Sequence, residues 1–196
     1  MRLLLASRSA TRRAMLTAAG VPFDVVEAPL DEEAAKAGLA AAGVTGREMA
    51  ARLAELKARS AAYAGGLVLG ADQVLERDDG LILGKPGSRA EAFDQLSGLG
   101  GRRHSLHSAA SVVERGVTVW SAAESATLSV RPLGRGFLED YLDREYEAVR
   151  WNVGAYRIEG LGAQLFDSVE GSHFAILGLP LLPLLAFLRD RGILAR

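Results

Sequence analysis

The chain is predicted to be an α/β protein with a mixed central sheet and flanking helices. Three observations predict it. Two short apolar runs, Leu3-Leu4-Leu5 and Leu67-Val68-Leu69, each lead into polar, chemistry-bearing residues, as strands of open α/β sheets do at their sites. Helical patterns recur between the strand patterns. Two long alternating stretches, 104–113 and 117–130, meet at Arg115-Gly116 as consecutive strands, so the order of strands and helices is mixed.

The elements follow in order. Residues 2–6 read as a buried strand and 10–19 as a helix, with Ser9 its N-cap and Gly20 its stop. A second strand covers 23–26 and ends before Pro29. Asp31-Glu32-Glu33 then opens a loop or a helix. Residues 47–63 carry helical spacing, with Met49, Leu53 and Leu56 on one face and Gly65-Gly66 as the stop. Strand 67–69 has Asp72 at its end. Residues 76–80 turn, and 81–83 return as the second arm of a hairpin. Ser88 caps a helix over 88–96, which Gly98 ends. A helix is expected over 137–144, short strands over 155–158 and 164–169, and a closing helix over 179–191.

The bulk properties narrow the function. A chain of 196 residues, 49% hydrophobic, supports one domain, or one domain with two lobes. Its net charge of −1 supplies no global field toward nucleic acid or an anionic membrane, so any anion binding is local. The absence of cysteine excludes disulfides, thiolate zinc sites and cysteine nucleophiles, and is compatible with the cytoplasm. Polar Ser7-Arg8-Ser9 cuts the first apolar run too short for a signal peptide. The apolar stretch 175–188 is broken by Pro180 and Pro183 and does not match a membrane span.

Two blocks carry the chemistry. The first, Ser7 to Arg13, offers hydroxyls, backbone N–H groups and guanidiniums suited to a polyanion such as a triphosphate. Arg12 and Arg13 fall in the first turn of a helix, where cations oppose the macrodipole, and a bound anion would remove that conflict. The second, Gly70-Ala71-Asp72-Gln73-Val74 with Gly84-Lys85-Pro86, offers a carboxylate that could hold a metal or activate water and a lysine that could neutralise phosphate. The spacing around Lys85 is not that of a Walker A loop. His104 and His107, three apart on a strand, face opposite sides and read as structural. Taken singly, Asp72 could cap a turn, Glu32 could belong to a wet acidic surface, and Arg12 could lie over its helix. Together the set has both signs that triphosphate hydrolysis needs.

These blocks, with Leu96-Ser97-Gly98 ahead of His104, Gly154-Ala155-Tyr156 leading to Glu159-Gly160, and Gly178-Leu179-Pro180-Leu181, make the chain resemble the Maf proteins. That is the septum-formation-inhibitor family of nucleoside triphosphate pyrophosphatases. The likeness runs nearly end to end, over one domain spanning 1–196. It implies two lobes around a cleft, as in the inosine-triphosphatase proteins. It implies hydrolysis between the α- and β-phosphates with a divalent cation, Mg²⁺ or Mn²⁺. By matching position, Ser9 and Arg12 cradle phosphate with Arg13 nearby, and Lys57 and Lys85 are the basic positions. Glu32 and Asp72 form the acidic, metal-holding side, with Asp72 the general base. The family's usual Ser-Pro-Arg-Arg is replaced here by Ser9-Ala10-Thr11-Arg12-Arg13, so one phosphate contact is either missing or supplied by Arg13.

The Asp72-Gln73 pair and Glu159-Gly160 resemble the branch acting on 7-methyl-GTP more than the branch acting on dTTP and UTP. Gln73 and Glu159 are accordingly expected on the substrate side, and a glutamate suits the paired N–H donors of a guanine edge. The competing reading is a nucleotide-binding cell-division regulator without fast catalysis. Homodimers are common in the family, and general nucleic-acid binding is not expected at this net charge.

Overall fold

Leu3, Leu4, Leu5 and Ala6 are all buried and form β1 (Leu3–Ala6). A computed structural model describes residues 2–61 and 66–195. The helix tail at 62–63 and the stop at Gly65 lie outside the described residues. After β1 come α1 (Ala10–Ala18), β2 (Asp24–Val25), α2 (Glu32–Ala41), α3 (Gly46–Ser60) and β3 (Leu67–Arg77). Next are β4 (Ile82–Leu83), α4 (Arg89–Leu99), β5 (Arg103–Glu114), β6 (Val117–Val130) and α5 (Arg135–Val149). Two short 3₁₀ turns lead to β7 (Phe166–Gly171), α6 (His173–Ile176) and α7 (Leu181–Asp190).

Among the described residues the sheet has seven strands, in the order β2-β1-β3-β5-β6-β7 with β4 pairing off β3. β1 runs parallel to both β2 and β3, whereas β3–β4 and β6–β7 are antiparallel. The sheet is mixed, as predicted. Parallel strands covered on both faces are apolar throughout, which is why Leu3-Leu4-Leu5 and Leu67-Val68-Leu69 do not alternate.

The chain divides into two compact units. The first comprises Met1–Gln73, His107–Ser125 and Ser172–Arg196. On one face of its strands Leu3, Leu5, Leu67 and Leu69 pack with Leu16 of α1 and with Leu184 and Leu188 of α7. On the other face Leu4, Ala6 and Val68 pack with Ala58 of α3. Ser9 caps α1 as expected, and a Thr45–Glu48 capping box starts α3.

The second unit comprises Val74–Leu106 and Ala126–Gly171. Arg89 of α4 bonds Glu139 and Asp143 of α5. Within this unit His104 is buried against Tyr156 and Phe166, with Nε2 2.7 Å from the Tyr156 hydroxyl. His104 Nδ1 is buried without a partner among the described residues. Burial pushes this imidazole down to about 4, and the field of Asp78 only partly opposes it.

The folded state therefore holds His104 neutral. As pH falls below the unfolded-state value of about 6.5 the unfolded chain takes a proton that the folded chain refuses, and stability drops until about pH 4. The loss is on the order of 3 kcal/mol. Urea midpoints at pH 7.5 and 4.5 are expected to differ accordingly in the wild type and much less in His104→Phe.

Several boundaries differ from the sequence reading. β3 continues to Arg77, so Asp72 lies in mid-strand and not at a strand end. A buried carboxylate is tolerated there because a lysine neutralises it. The expected strand over 155–158 is absent, and Val153–Ala155 forms a 3₁₀ turn instead. Asn152 Nδ2 donates to the Tyr156 carbonyl and Tyr141 donates to the Ala155 carbonyl, so the backbone groups there serve the turn. The strand expected over 164–169 starts at Phe166, after the second 3₁₀ turn. α4 runs through Gly98 to Leu99, and α5 is longer than 137–144. The closing helix is α7 alone, preceded by the unpredicted α6.

Candidate active site

The polar residues after β1 are organised by the start of α1. Ser9 Oγ accepts from the Arg12 backbone N–H at 3.3 Å, and Ser7 Oγ accepts from the Ser9 N–H at 3.3 Å. The Arg12 side chain then turns inward, only 8% exposed. Its Nε donates to the Gly178 carbonyl at 2.7 Å and its Nη1 to Ser7 Oγ at 3.2 Å. Gly178 has φ +98, and a Cβ there would stand 3.3 Å from the guanidinium Nε and Nη2. A glycine is required for this approach on both counts.

The second half of the site is built where α3 crosses β3. A Cβ on Gly70 would lie 2.2 Å from the Ala54 carbonyl oxygen and 2.5 Å from the Ala58 nitrogen. The missing side chain lets the helix backbone lie directly on the strand. Two residues along the same strand face is Asp72, and between Ala54 and Ala58 is Lys57. Lys57 Nζ donates to Asp72 Oδ1 at 2.5 Å and pairs with Glu32 Oε2 at 3.0 Å. Glu32 is the first residue of α2, behind the N-cap Asp31, where a carboxylate also suits the helix dipole.

Two cations and two carboxylates thus balance in the first unit. Lys57 and Asp72 are 7% and 5% exposed, and the Glu32 side chain is 42% exposed. Burial pulls the Arg12 pKa below its ordinary value, while the fields of Asp72 and Glu32 push it back. The guanidinium remains a cation. The conflict between Arg12 and the α1 dipole is thereby partly met by the protein's own carboxylates. Two polar positions are left over. Asp72 Oδ2 is buried with no hydrogen-bond partner among the described residues, and Arg12 Nη2 makes none there either. One is an acceptor and the other a donor, and both belong to the most buried charged residues of the unit.

The remaining predicted residues divide by unit. Arg13 is exposed on α1, and Thr11, two residues before it, is half-buried. Gln73 faces away from Asp72, as strand alternation requires. Its amide nitrogen is bonded to Ser108 Oγ and to the Ala175 and Ile176 carbonyls, at 3.1, 2.8 and 2.9 Å. Lys85 and Glu159 are exposed residues of the second unit. Sequence reasoning missed Ser7 and the Gly178 carbonyl as partners of Arg12, and Ser108 as a partner of Gln73. For Gly178 a signal existed in the Gly178-Leu179-Pro180 motif. Nothing in the sequence marks Ser108. Among the described residues no helix is long and apolar enough to cross a membrane.

The fold is thus a mixed α/β sheet that carries a capped helix start, a buried arginine and a lysine-bridged carboxylate pair. The family follows from comparison: a model described as Maf-like protein matches residues 2–191, and the chain belongs to that family. It is 48% identical over 195 residues to a nucleoside triphosphate pyrophosphatase of Sphingopyxis alaskensis, covering 98% of each chain. It is 49% identical over 191 residues to the protein of the same name in Caulobacter vibrioides, covering 97% of this chain and 96% of that one. Among solved structures, a HAM1 protein from Coxiella burnetii overlaps at a TM-score of 0.46 with 18% identity, over 69% of this chain and 75% of that one, too slight an overlap to bear on function.

Proposed function

We propose that this chain is a nucleoside triphosphate pyrophosphatase that releases pyrophosphate and a nucleoside monophosphate, with 7-methyl-GTP its favoured substrate. The observation that carries the reading is Asp72. Its carboxylate is buried and anchored through one oxygen to Lys57, while its other oxygen has no hydrogen-bond partner among the described residues. An anchored, desolvated carboxylate with a free oxygen is equipped to take a proton from an attacking water. Full-length relatives of this family, nearly half identical to this chain, carry the pyrophosphatase name.

The residues divide the work by charge. Arg12, held from two sides, offers Nη2 to a phosphate oxygen. The start of α1 behind Ser9 offers backbone N–H groups, and Arg13 adds an exposed cation. Lys57 holds Asp72 in place through Oδ1. Lys85 is assigned to the charge of the leaving pyrophosphate and Glu159 to the guanine edge, both on residue chemistry alone. Gln73 serves the substrate side indirectly, through the contacts of its amide nitrogen with the end of α6.

Members of this family generally depend on a divalent metal. The donor set fits one. Asp72 and Glu32 are hard oxygen ligands joined at one ammonium, and Asp72 Oδ2 is available. Among the described residues no three His, Cys, Asp or Glu side chains gather to enclose an ion. One or two carboxylates, with water and phosphate oxygens completing the shell, is the usual Mg²⁺ arrangement. When bound, such an ion supplies charge neutralisation on the phosphates.

The test is pyrophosphate release from 7-methyl-GTP, GTP, dTTP, UTP, CTP and ATP, with Mg²⁺, Mn²⁺ or chelator. Metal-dependent release peaking on 7-methyl-GTP is expected. A peak on dTTP or UTP would move the chain to the other branch and remove the role of Glu159. Binding of triphosphates with no release under any condition would overturn the enzymatic reading in favour of a nucleotide-binding regulator.

A further inference from the structure

The end of α6 and the turn that follows it are held by side chains from three other elements. Ser108 of β5 donates to the Ala175 carbonyl at 2.6 Å, Gln73 of β3 donates to the Ala175 and Ile176 carbonyls, and Arg12 of α1 donates to the Gly178 carbonyl. All of these residues belong to the first unit. The last carbonyls of a helix lack intrahelical partners, and here those of Ala175 and Ile176 are met by Ser108 and Gln73, Ala175 also accepting from the Gly178 N–H at 3.2 Å. α6 has only four residues, too short to be stable by its own hydrogen bonds. The Gly178 N–H bonds the Ala175 carbonyl and the Leu179 N–H bonds the Phe174 carbonyl at 3.1 Å, so the Gly178 carbonyl is tied through the backbone to the helix end that these outside contacts hold.

We infer that Gln73 is a positioning residue for Arg12, acting through the α6–α7 turn and without touching substrate. Gln73 and Ser108 fix Ala175 and Ile176. That fixes the Gly178 carbonyl, which holds the Arg12 guanidinium by Nε. The guanidinium is then oriented in the fields of Asp72 and Glu32, with Nη2 making no hydrogen bond among the described residues. A guanidinium held at two of its nitrogens recognises a phosphate oxygen with little ordering left to do. Asp72 and Gln73 are thus consecutive residues on opposite faces of one strand, one presenting its carboxylate and the other steadying the arginine from behind. This inference rests on the phosphate-binding role of Arg12 proposed above.

The experiment is a double-variant cycle of Gln73→Met, which keeps the length of the side chain and removes its donors, with Arg12→Ala. KM and kcat are read on the favoured triphosphate. Affinity for inorganic tripolyphosphate is read by calorimetry, and amide hydrogen exchange is followed at residues 177–179. Gln73→Met is expected to raise KM, and to weaken tripolyphosphate binding, by about tenfold with a smaller change in kcat. It should have no further effect in the Arg12→Ala background, and exchange at 177–179 should quicken. Effects of the two substitutions that multiply, or a Gln73→Met effect confined to the choice between bases, would show a direct substrate contact and overturn the inference. Unchanged tripolyphosphate affinity in a folded Gln73→Met protein would also overturn it. If the wild type released no pyrophosphate from any nucleotide, the enzymatic proposal alone would fall, and the tripolyphosphate cycle would still decide the role of Gln73. A melting curve for each variant separates these outcomes from misfolding.

Discussion

Asp72→Asn is expected to lower kcat about a thousandfold while leaving the fold intact. The amide oxygen of asparagine can still accept from Lys57, so the 2.5 Å contact to Nζ has a neutral replacement. Glu32 continues to pair with the ammonium at 3.0 Å, so no buried cation is left without a counter-charge. What disappears is the basicity of the free oxygen Oδ2, together with one anionic ligand for a metal. The loss should therefore appear in kcat, with nucleotide affinity held within a few fold. Single-turnover pyrophosphate release and calorimetric binding measure the two separately. Turnover close to that of the wild type would remove Asp72 from the mechanism.

Gly70→Ala is expected to be the most destabilising methyl group that can be added near the site. Its Cβ would meet backbone atoms of α3 at 2.2 and 2.5 Å, and backbone cannot rotate away as a side chain tip can. α3 would have to lift from β3, at a cost on the order of 3–5 kcal/mol, or a melting temperature lower by roughly 10 °C for a chain of this size. Lys57 rides on the stretch of helix that must move, so whatever protein remains folded should also lose activity. Gly38→Ala is the matched control. It lies in α2 with nothing within 4 Å of the added carbon, and a helix gains up to about 1 kcal/mol from that change. Urea denaturation of both variants gives the comparison.

The strands were legible where burial on both faces leaves an unbroken apolar run, as at Leu3-Leu4-Leu5. The α1 cap was legible because the Ser9 side chain bonds a backbone group only three residues away. The position of Asp72 within β3 was not, since a carboxylate in mid-strand contradicts local preference. The group that permits it, Lys57, comes from another element. The same holds for the links between Gln73 and Ala175, 102 residues apart, and between Arg12 and Gly178, 166 apart. α6 is too short to show a period, and the turn at Val153–Ala155 is shaped by hydrogen bonds from Asn152 and Tyr141. The residue types that carry the candidate chemistry could be picked out from sequence because their charges are unusual beside apolar runs. The distant partners of Arg12 and Gln73 could not, because most of those are backbone carbonyls, and every residue has one.

The approach of Arg12 to Gly178 also bears on how the chain can change over time. At position 178 a side chain would be strained by φ +98 and would press on the guanidinium at 3.3 Å. At position 12 a shorter residue would leave the Gly178 carbonyl without its donor. The two positions therefore form one inherited unit, in which neither letter can drift alone. Saturation of positions 12, 178 and 182 should show position 178 as intolerant as position 12, although it is a glycine with no chemistry of its own. Leu182, exposed on α7 only four residues later, should accept most polar replacements.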